Sequence, residues 1–240
     1  MERRNFIKLL GTGAVIAISP SLIKGTLRAE DGMLFKSYEK VKLVDKLGNP
    51  IKPSKLKKEV TYIFHYPHVS TPCLLIDIGE PTSKNVKLKS ENGQEYLWKG
   101  GVGQNGSIVA YSGICSHQLT HPTPKHSFIK YIPRDEKTLA YKNGGVIVCS
   151  SHLTAFAANA GCKNLSGKAE EPLASIVLEV ENDELYAVAV LGPDKFQDYF
   201  KSFKSEFKEF YDGKRKAKKN IKGQSTTVEL TKYSKDIVSL

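Results

Sequence analysis

Short apolar runs, each broken by turn residues, set the character of the middle of the chain. Thr61-Tyr62-Ile63-Phe64-His65-Tyr66 stops at Pro67, and Cys73-Leu74-Leu75-Ile76-Asp77-Ile78 follows. Ser107-Ile108-Val109-Ala110-Tyr111 comes after the turn Gln104-Asn105-Gly106. Gly145-Val146-Ile147-Val148, Ser175 to Glu181, and Leu185 to Val190 beyond the Asn182-Asp183 turn continue the series. Runs of this length, rich in β-branched and aromatic residues and bounded by Gly, Pro or Asn, read as strands. Many short strands at close spacing predict an all-β fold, an antiparallel sandwich or barrel. Between Tyr38 and Lys58 the chain is polar and lysine-rich, with Gly48-Asn49-Pro50 as a turn.

The period changes after Gly192-Pro193. Phe196, Tyr199, Phe200, Phe203, Phe207, Phe210 and Tyr211 recur at helical spacing, which predicts a helix with one aromatic stripe that ends near Gly213. Its stripe suits packing on its own domain, or docking on a partner subunit or a membrane surface. Lys214, Arg215, Lys216, Lys218, Lys219 and Lys222 then follow with no acid among them, the pattern of a solvated face or mobile arm. Thr226 to Val238 reads as a final strand or as an arm that wraps a partner.

With 240 residues, 40% hydrophobic and 25% charged, the chain is globular and long enough for one domain with extensions. Its formal charge of +11 points broadly to anionic partners. Because much of that excess is local, no nucleic acid is expected as a partner. The first thirty residues form an address: Glu2-Arg3-Arg4-Asn5-Phe6-Ile7-Lys8 precedes an apolar stretch from Leu9 to Ile23. This resembles a twin-arginine export signal, with Glu2 where Ser or Thr is usual. The stretch is shorter than the ~20 residues of a spanning helix, and Thr26-Leu27-Arg28-Ala29 is a poor cleavage site. The expectation is a protein on the periplasmic side of the inner membrane, with residues 1–30 either removed or kept as an anchor that contacts the membrane.

Two elements carry chemistry: Ile114-Cys115-Ser116-His117 and Val148-Cys149-Ser150-Ser151-His152, each directly after a strand-like run. Thiolate and imidazole are ligands of iron and zinc, so Cys115, His117, Cys149 and His152 make a four-ligand metal set. Structural zinc sites usually draw like ligands from each element. Here each element supplies one cysteine and one histidine, which favours iron. His121 lies four residues beyond His117, but Pro122 and Pro124 argue against the helix that would bring both to one metal.

The Cys-x-His and Cys-x-x-His pair, with Gly106 to Cys115 as the strand and turn before it, resembles the Rieske family over roughly residues 95 to 190. The resemblance implies one 2Fe-2S cluster per chain, two cysteines on one iron and two histidines on the other. It also implies a Rieske-like antiparallel β-sandwich with a cluster-binding subdomain, here followed by a C-terminal helix. The expected organisation is a Rieske-type domain over residues 31–192 with an inserted loop at 118–148, then a C-terminal helix and basic extension over 193–240. The insertion reads as a partner-docking surface or a plain surface excursion.

Further expectations follow from that resemblance. Members from respiratory cytochrome bc complexes join their two ligand loops by a disulfide; Thr120 and Ser151 occupy the matching positions, so that bridge is absent. High-potential members donate hydrogen bonds to the cluster from a serine and a tyrosine matched here by Thr154 and Phe156. Phenylalanine cannot donate, which predicts a lower potential. In quinol-oxidising relatives the histidine matched by His152 meets the quinol, which would require His152 to be exposed. Oxygenase catalysis is not expected, because no histidine follows His152 to hold a second iron. An exported electron-transfer protein remains, working with a redox partner or membrane complex. It is either the iron-sulfur subunit of a quinol-oxidising bc-type complex or the small subunit of a molybdenum oxidoreductase resembling arsenite oxidase. A redox-silent zinc-binding module is the third class. Cys73 and Cys162 either pair in an oxidising compartment or sit apart. His65, His68 and His126 read as surface or turn residues.

Overall fold

Each apolar run named above is a strand in the computed structural model, which describes residues 34–239. The export address, residues 1–30, lies outside the described residues. The chain opens with β1 (Phe35–Val44), β2 (Tyr62–His65) and β3 (Pro72–Asp77), then the hairpin of β4 (Val86–Lys89) and β5 (Glu95–Trp98), then β6 (Ile108–Ser112). Next come β7 (His126–Ser127), β8 (Ile129–Ile132), β9 (Val146–Cys149), β10 (Thr154–Ala157) and β11 (Lys163–Ser166), and then β12 (Ser175–Glu181) and β13 (Glu184–Leu191). The C-terminal part holds α1 (Phe196–Ser202), α2 (Lys204–Tyr211), α3 (Lys214–Ala217), β14 (Gln224–Thr226), β15 (Val228–Glu229), α4 (Leu230–Tyr233) and β16 (Asp236–Ile237). An eight-stranded sheet has the order β14-β1-β13-β12-β6-β3-β2-β15, and a four-stranded sheet the order β11-β10-β9-β8.

β3 and β6 explain why these elements assemble. Both are buried along their whole length, as their unbroken apolar sequences require. Side chains alternate between faces along a strand, and here each face meets a different core. Cys73, Leu75, Ile108 and Ala110 point into a cluster with Leu43, Phe64, Ile176 and Ala187, enclosed by the curled large sheet and the aromatic helices. Leu74, Ile76, Val109 and Tyr111 point the other way, into a cluster with Ile129, Ile147, Cys149 and Phe156 of the small sheet. Each fully buried Leu or Ile contributes about 1.5–3 kcal/mol. The small sheet is thus bonded to the outer face of β3 and β6 by packing, and the Tyr111 hydroxyl adds a 2.7 Å bond to the Ala158 carbonyl.

Several expectations are corrected. β1 occupies the stretch that reads as polar, because its lysines alternate outward while Val41 and Leu43 are fully buried. The aromatic stripe forms two helices rather than one: the chain leaves helical geometry at Phe203 (φ −106°, ψ 41°) between α1 and α2. The stripe faces its own domain, with Phe196, Tyr199, Phe200 and Phe207 in the inner core. The basic run is anchored, not a mobile arm. Ala217 is fully buried and its carbonyl accepts from Ser70, while Val69 N–H donates to Lys219 O; the basic side chains Arg215, Lys216, Lys218, Lys219 and Lys222 are exposed. Beyond it, β14 adds to β1 and β15 to β2 in the large sheet, and β16 runs parallel to β7. The C-terminal part therefore completes the large sheet, through β14 and β15, rather than merely following it. The 118–148 insertion is partly sheet too, since β8 pairs along β9. Cys73 and Cys162 are both fully buried but in opposite cores, and neither is in a disulfide. Among the described residues no helix is long and apolar enough to cross a membrane.

Phe207 is fully buried against Tyr199, Phe200 and Tyr211. Phe207→Ala should lower unfolding stability by about 3–5 kcal/mol in a denaturant titration; a loss below about 1 kcal/mol would show that α2 contributes little to the core.

Candidate metal centre

The second ligand loop is the hairpin turn of the small sheet. Cys149 ends β9 and pairs with Thr154, the first residue of β10, so residues 150–153 are the turn and His152 stands at its tip. Ser150 N–H donates to Phe128 O at 2.7 Å, which ties this turn to the strand-forming insertion. The first loop leaves β6 at Ser112. Gly113 N–H donates to Pro72 O at 2.8 Å, and a Cβ on Gly113 would lie 3.0 Å from that oxygen and 3.2 Å from Pro122 Cδ. The loop then closes on itself: Leu119 N–H donates to Cys115 O (3.0 Å) and Cys115 N–H to Thr120 O (2.8 Å). Leu119 (φ 60°) and Leu153 (φ 51°) both adopt the left-handed region, uncommon for a residue with a branched side chain.

All four predicted side chains come together at this junction. Cys115 and Cys149 are buried together in one cluster, near enough that each thiol alters the other's hold on its proton. Above them the His117 and His152 rings meet edge to face, centroids 4.8 Å apart and planes at 89°. His117 is half-buried and His152 exposed. That proximity splits the pair. Donating to Cys149, together with burial, pushes the Cys115 thiol up, while accepting from Cys115 brings Cys149 down to about 7. Backbone N–H groups of Ser151 and His152 and the Thr120 hydroxyl add to the stabilisation of the Cys149 thiolate. Desolvation, then the neighbouring His152 and Lys168, lower the His117 pKa and favour the neutral ring, the form with a lone pair to give a metal.

These residues fit a two-iron cluster. His117 Nδ1 is buried without a hydrogen-bond partner among the described residues, an arrangement that costs about 1–3 kcal/mol unless something binds the lone pair. A structural zinc needs four donors around one ion. Here the side chains stand as a thiol pair and an imidazole pair, the two-by-two set that suits two irons. Thr154 Oγ1, also buried and unpartnered among the described residues, retains a donor for the same region. Phe156, fully buried with both thiols in one cluster, supplies none.

Other sequence readings resolve as follows. His121 turns away from the metal centre: its Nδ1 lies 2.7 Å from Leu119 O and its Nε2 2.8 Å from Glu206 Oε1. Thr120, noted only for a missing disulfide, stands close enough for its hydroxyl to favour the Cys149 thiolate. The one sequence signal for Glu206 was an acid set beside the aromatic stripe. His65 is a half-buried residue at the end of β2, not a surface or turn residue, whereas His68 does open a turn that Thr71 closes. His65 Nε2 meets the hydroxyls of Tyr233 (3.3 Å) and Tyr211 (3.4 Å), and His68 packs on Phe196 and Phe200. Burial pushes both histidines down to about 4. His126 is exposed on β7.

Comparison with known proteins agrees with this geometry. The Rieske [2Fe-2S] domain pattern matches residues 77–189. Iodate reductase subunit IdrB of Denitromonas iodatirespirans is 31% identical over 192 residues, 80% of this chain and 82% of that protein. Its counterpart from Pseudomonas sp. (strain SCT) is 28% identical over 194 residues, 80% of each chain. The soluble domain of Rieske protein II from Sulfolobus acidocaldarius aligns over 66% of this chain and 82% of its own, at 23% identity and a TM-score of 0.45. The chain belongs to the Rieske [2Fe-2S] family, and its cofactor is a 2Fe-2S cluster.

Proposed function

We propose that Cys115 and Cys149 hold one iron of the cluster and His117 and His152 the other, and that the chain is the electron-transfer subunit of an exported respiratory oxidoreductase. The observation that carries the ligand assignment is the paired arrangement itself, two thiols buried in one cluster and two imidazoles edge to face at the rim. The cluster, when bound, supplies one-electron transfer. The protein's part is to exclude water from the thiol side, where Phe156 and Ile147 pack with both cysteines, and to present the imidazole side. Exposed His152 and Leu153 form that contact edge.

Of the two respiratory settings, the small subunit of a molybdenum oxidoreductase is favoured over a quinol-oxidising bc-type subunit. Both relatives described above are subunits of a reductase, and the likeness runs over 80% of this chain, well beyond the Rieske domain itself. Residues 1–30 are proposed to send the folded, cluster-loaded chain to the periplasmic side by the twin-arginine route.

Low-temperature EPR of the dithionite-reduced protein should show a rhombic signal with average g near ~1.9 and iron and sulfide in equal amounts. Cys149→Ser should abolish the signal. A colourless, zinc-containing sample after anaerobic reconstitution with iron and sulfide would reject the assignment. Copurification with a large catalytic subunit is expected; quinol oxidation lost on His152 replacement would favour the bc-type setting instead. Phe156→Tyr places a donor beside the thiol ligands and should raise the midpoint potential in a redox titration; no rise, or a fall, would contradict this account of the site.

A further inference from the structure

The C-terminal helices reach the first ligand loop at one place. The His121 ring is buried and lies between Tyr199 of α1 (centroids 4.8 Å) and Phe203 at the helix break (4.6 Å), nearly perpendicular to both. The break has a visible consequence: Phe203 and Glu206, on either side of the start of α2, both face His121. Tyr199 is itself fixed, its hydroxyl donating to Ser70 O at 2.8 Å.

The two ring nitrogens of His121 face two acceptors, a carbonyl and a carboxylate, at 2.7 and 2.8 Å. A neutral imidazole has one donor and one acceptor nitrogen. The geometry therefore suits a ring that donates from both sides, paired with the Glu206 carboxylate, which is 19% exposed. The carbonyl it holds belongs to Leu119, the left-handed residue whose N–H closes the loop on Cys115. A left-handed non-glycine residue is unfavourable and persists only where its surroundings enforce it. The N–H and carbonyl of Leu119 are both engaged, one by the loop and one by His121.

We propose that His121 and Glu206 are positioning residues, through which the C-terminal helix pair holds the loop bearing Cys115 and His117. This chain lacks the second pair of loop cysteines, and a hydrogen bond between buried His121 and half-buried Glu206, the latter from beyond the matched Rieske region, secures one loop in its place. The inference rests on the ligand assignment above for its cluster readouts. The helix pair α1 and α2 is thus part of the centre's framework, beyond the domain pattern that ends at residue 189.

The test compares His121→Phe, Glu206→Ala and Glu206→Gln in the full, cluster-loaded chain with Lys125→Ala, which breaks the exposed Lys125–Glu209 ion pair between α2 and the insertion. His121→Phe keeps the aromatic packing but removes both bonds. Hydrogen bonds to charged groups are strong enough for about a tenfold effect. His121→Phe and Glu206→Ala should release iron to a chelator about tenfold faster, broaden the EPR lines and shift the midpoint potential. Glu206→Gln should stay near wild type, because its amide can donate to Nε2 while Nδ1–H continues to serve Leu119. Lys125→Ala should match wild type. Amide hydrogen exchange over residues 113–121 of the cluster-free chain reads the same brace independently, and Glu206→Ala should speed it. Unchanged exchange and line shape in His121→Phe and Glu206→Ala would overturn the proposal. So would an equal effect from Lys125→Ala, which would mean undocking of the helix in general. A wild-type chain without the Rieske signal would reject the ligand assignment, and the exchange comparison would still decide the brace.

Discussion

Burial of β3 and β6 on both faces is the constraint from which the rest follows. One face of this strand pair closes the inner core of the curled sheet and the other seats the small sheet. A register slip of one residue would exchange the two faces, and the Tyr111–Ala158 bond and the Gly113–Pro72 bond both depend on the register observed. Cys115 follows directly from that fixed strand, while Cys149 is the last residue of a strand in the sheet packed on it. The two thiols meet because two sheets meet.

Legibility in the sequence followed local order. The proposed ligand set was readable since each loop carries its cysteine and histidine within a few residues, and the apolar strands were readable because doubly buried strands have no polar positions to blur them. β1 was not, because its outward lysines dominate its composition and only the alternation betrays it. β10, Thr-Ala-Phe-Ala, is built from small residues that signal little, and it is recognisable only from its pairing with β9. The helix break was hidden because aromatic spacing continues through Phe203. The placement of Cys73 and Cys162 in opposite cores, and of His121 against Glu206, are tertiary outcomes that no spacing rule encodes.

The centre is polarised by burial. Thiols lie inside, among Ile147, Phe156 and Tyr111, while one imidazole is half-buried and the other exposed. Negative charge on thiolate is disfavoured by such surroundings, so the hydrogen bonds that Cys149 accepts from backbone and from Thr120 stand in for the water it lacks. The imidazole side faces the medium and any protein that docks there.

The parallel pair of β7 with β16 has a consequence in the order of events. The insertion between the ligand loops is held by Ser234 Oγ on Thr123 O, by Lys235 and Asp236 N–H on Pro124 and Lys125 carbonyls, and by Val238 N–H on Ser127 O. Those partners are over a hundred residues later in the chain. During synthesis the first ligand loop and its neighbour leave the ribosome long before the residues that fasten them, and such distant closures form slowly. The insertion between the two loops therefore cannot be fully fastened until the last residues of the chain have been made.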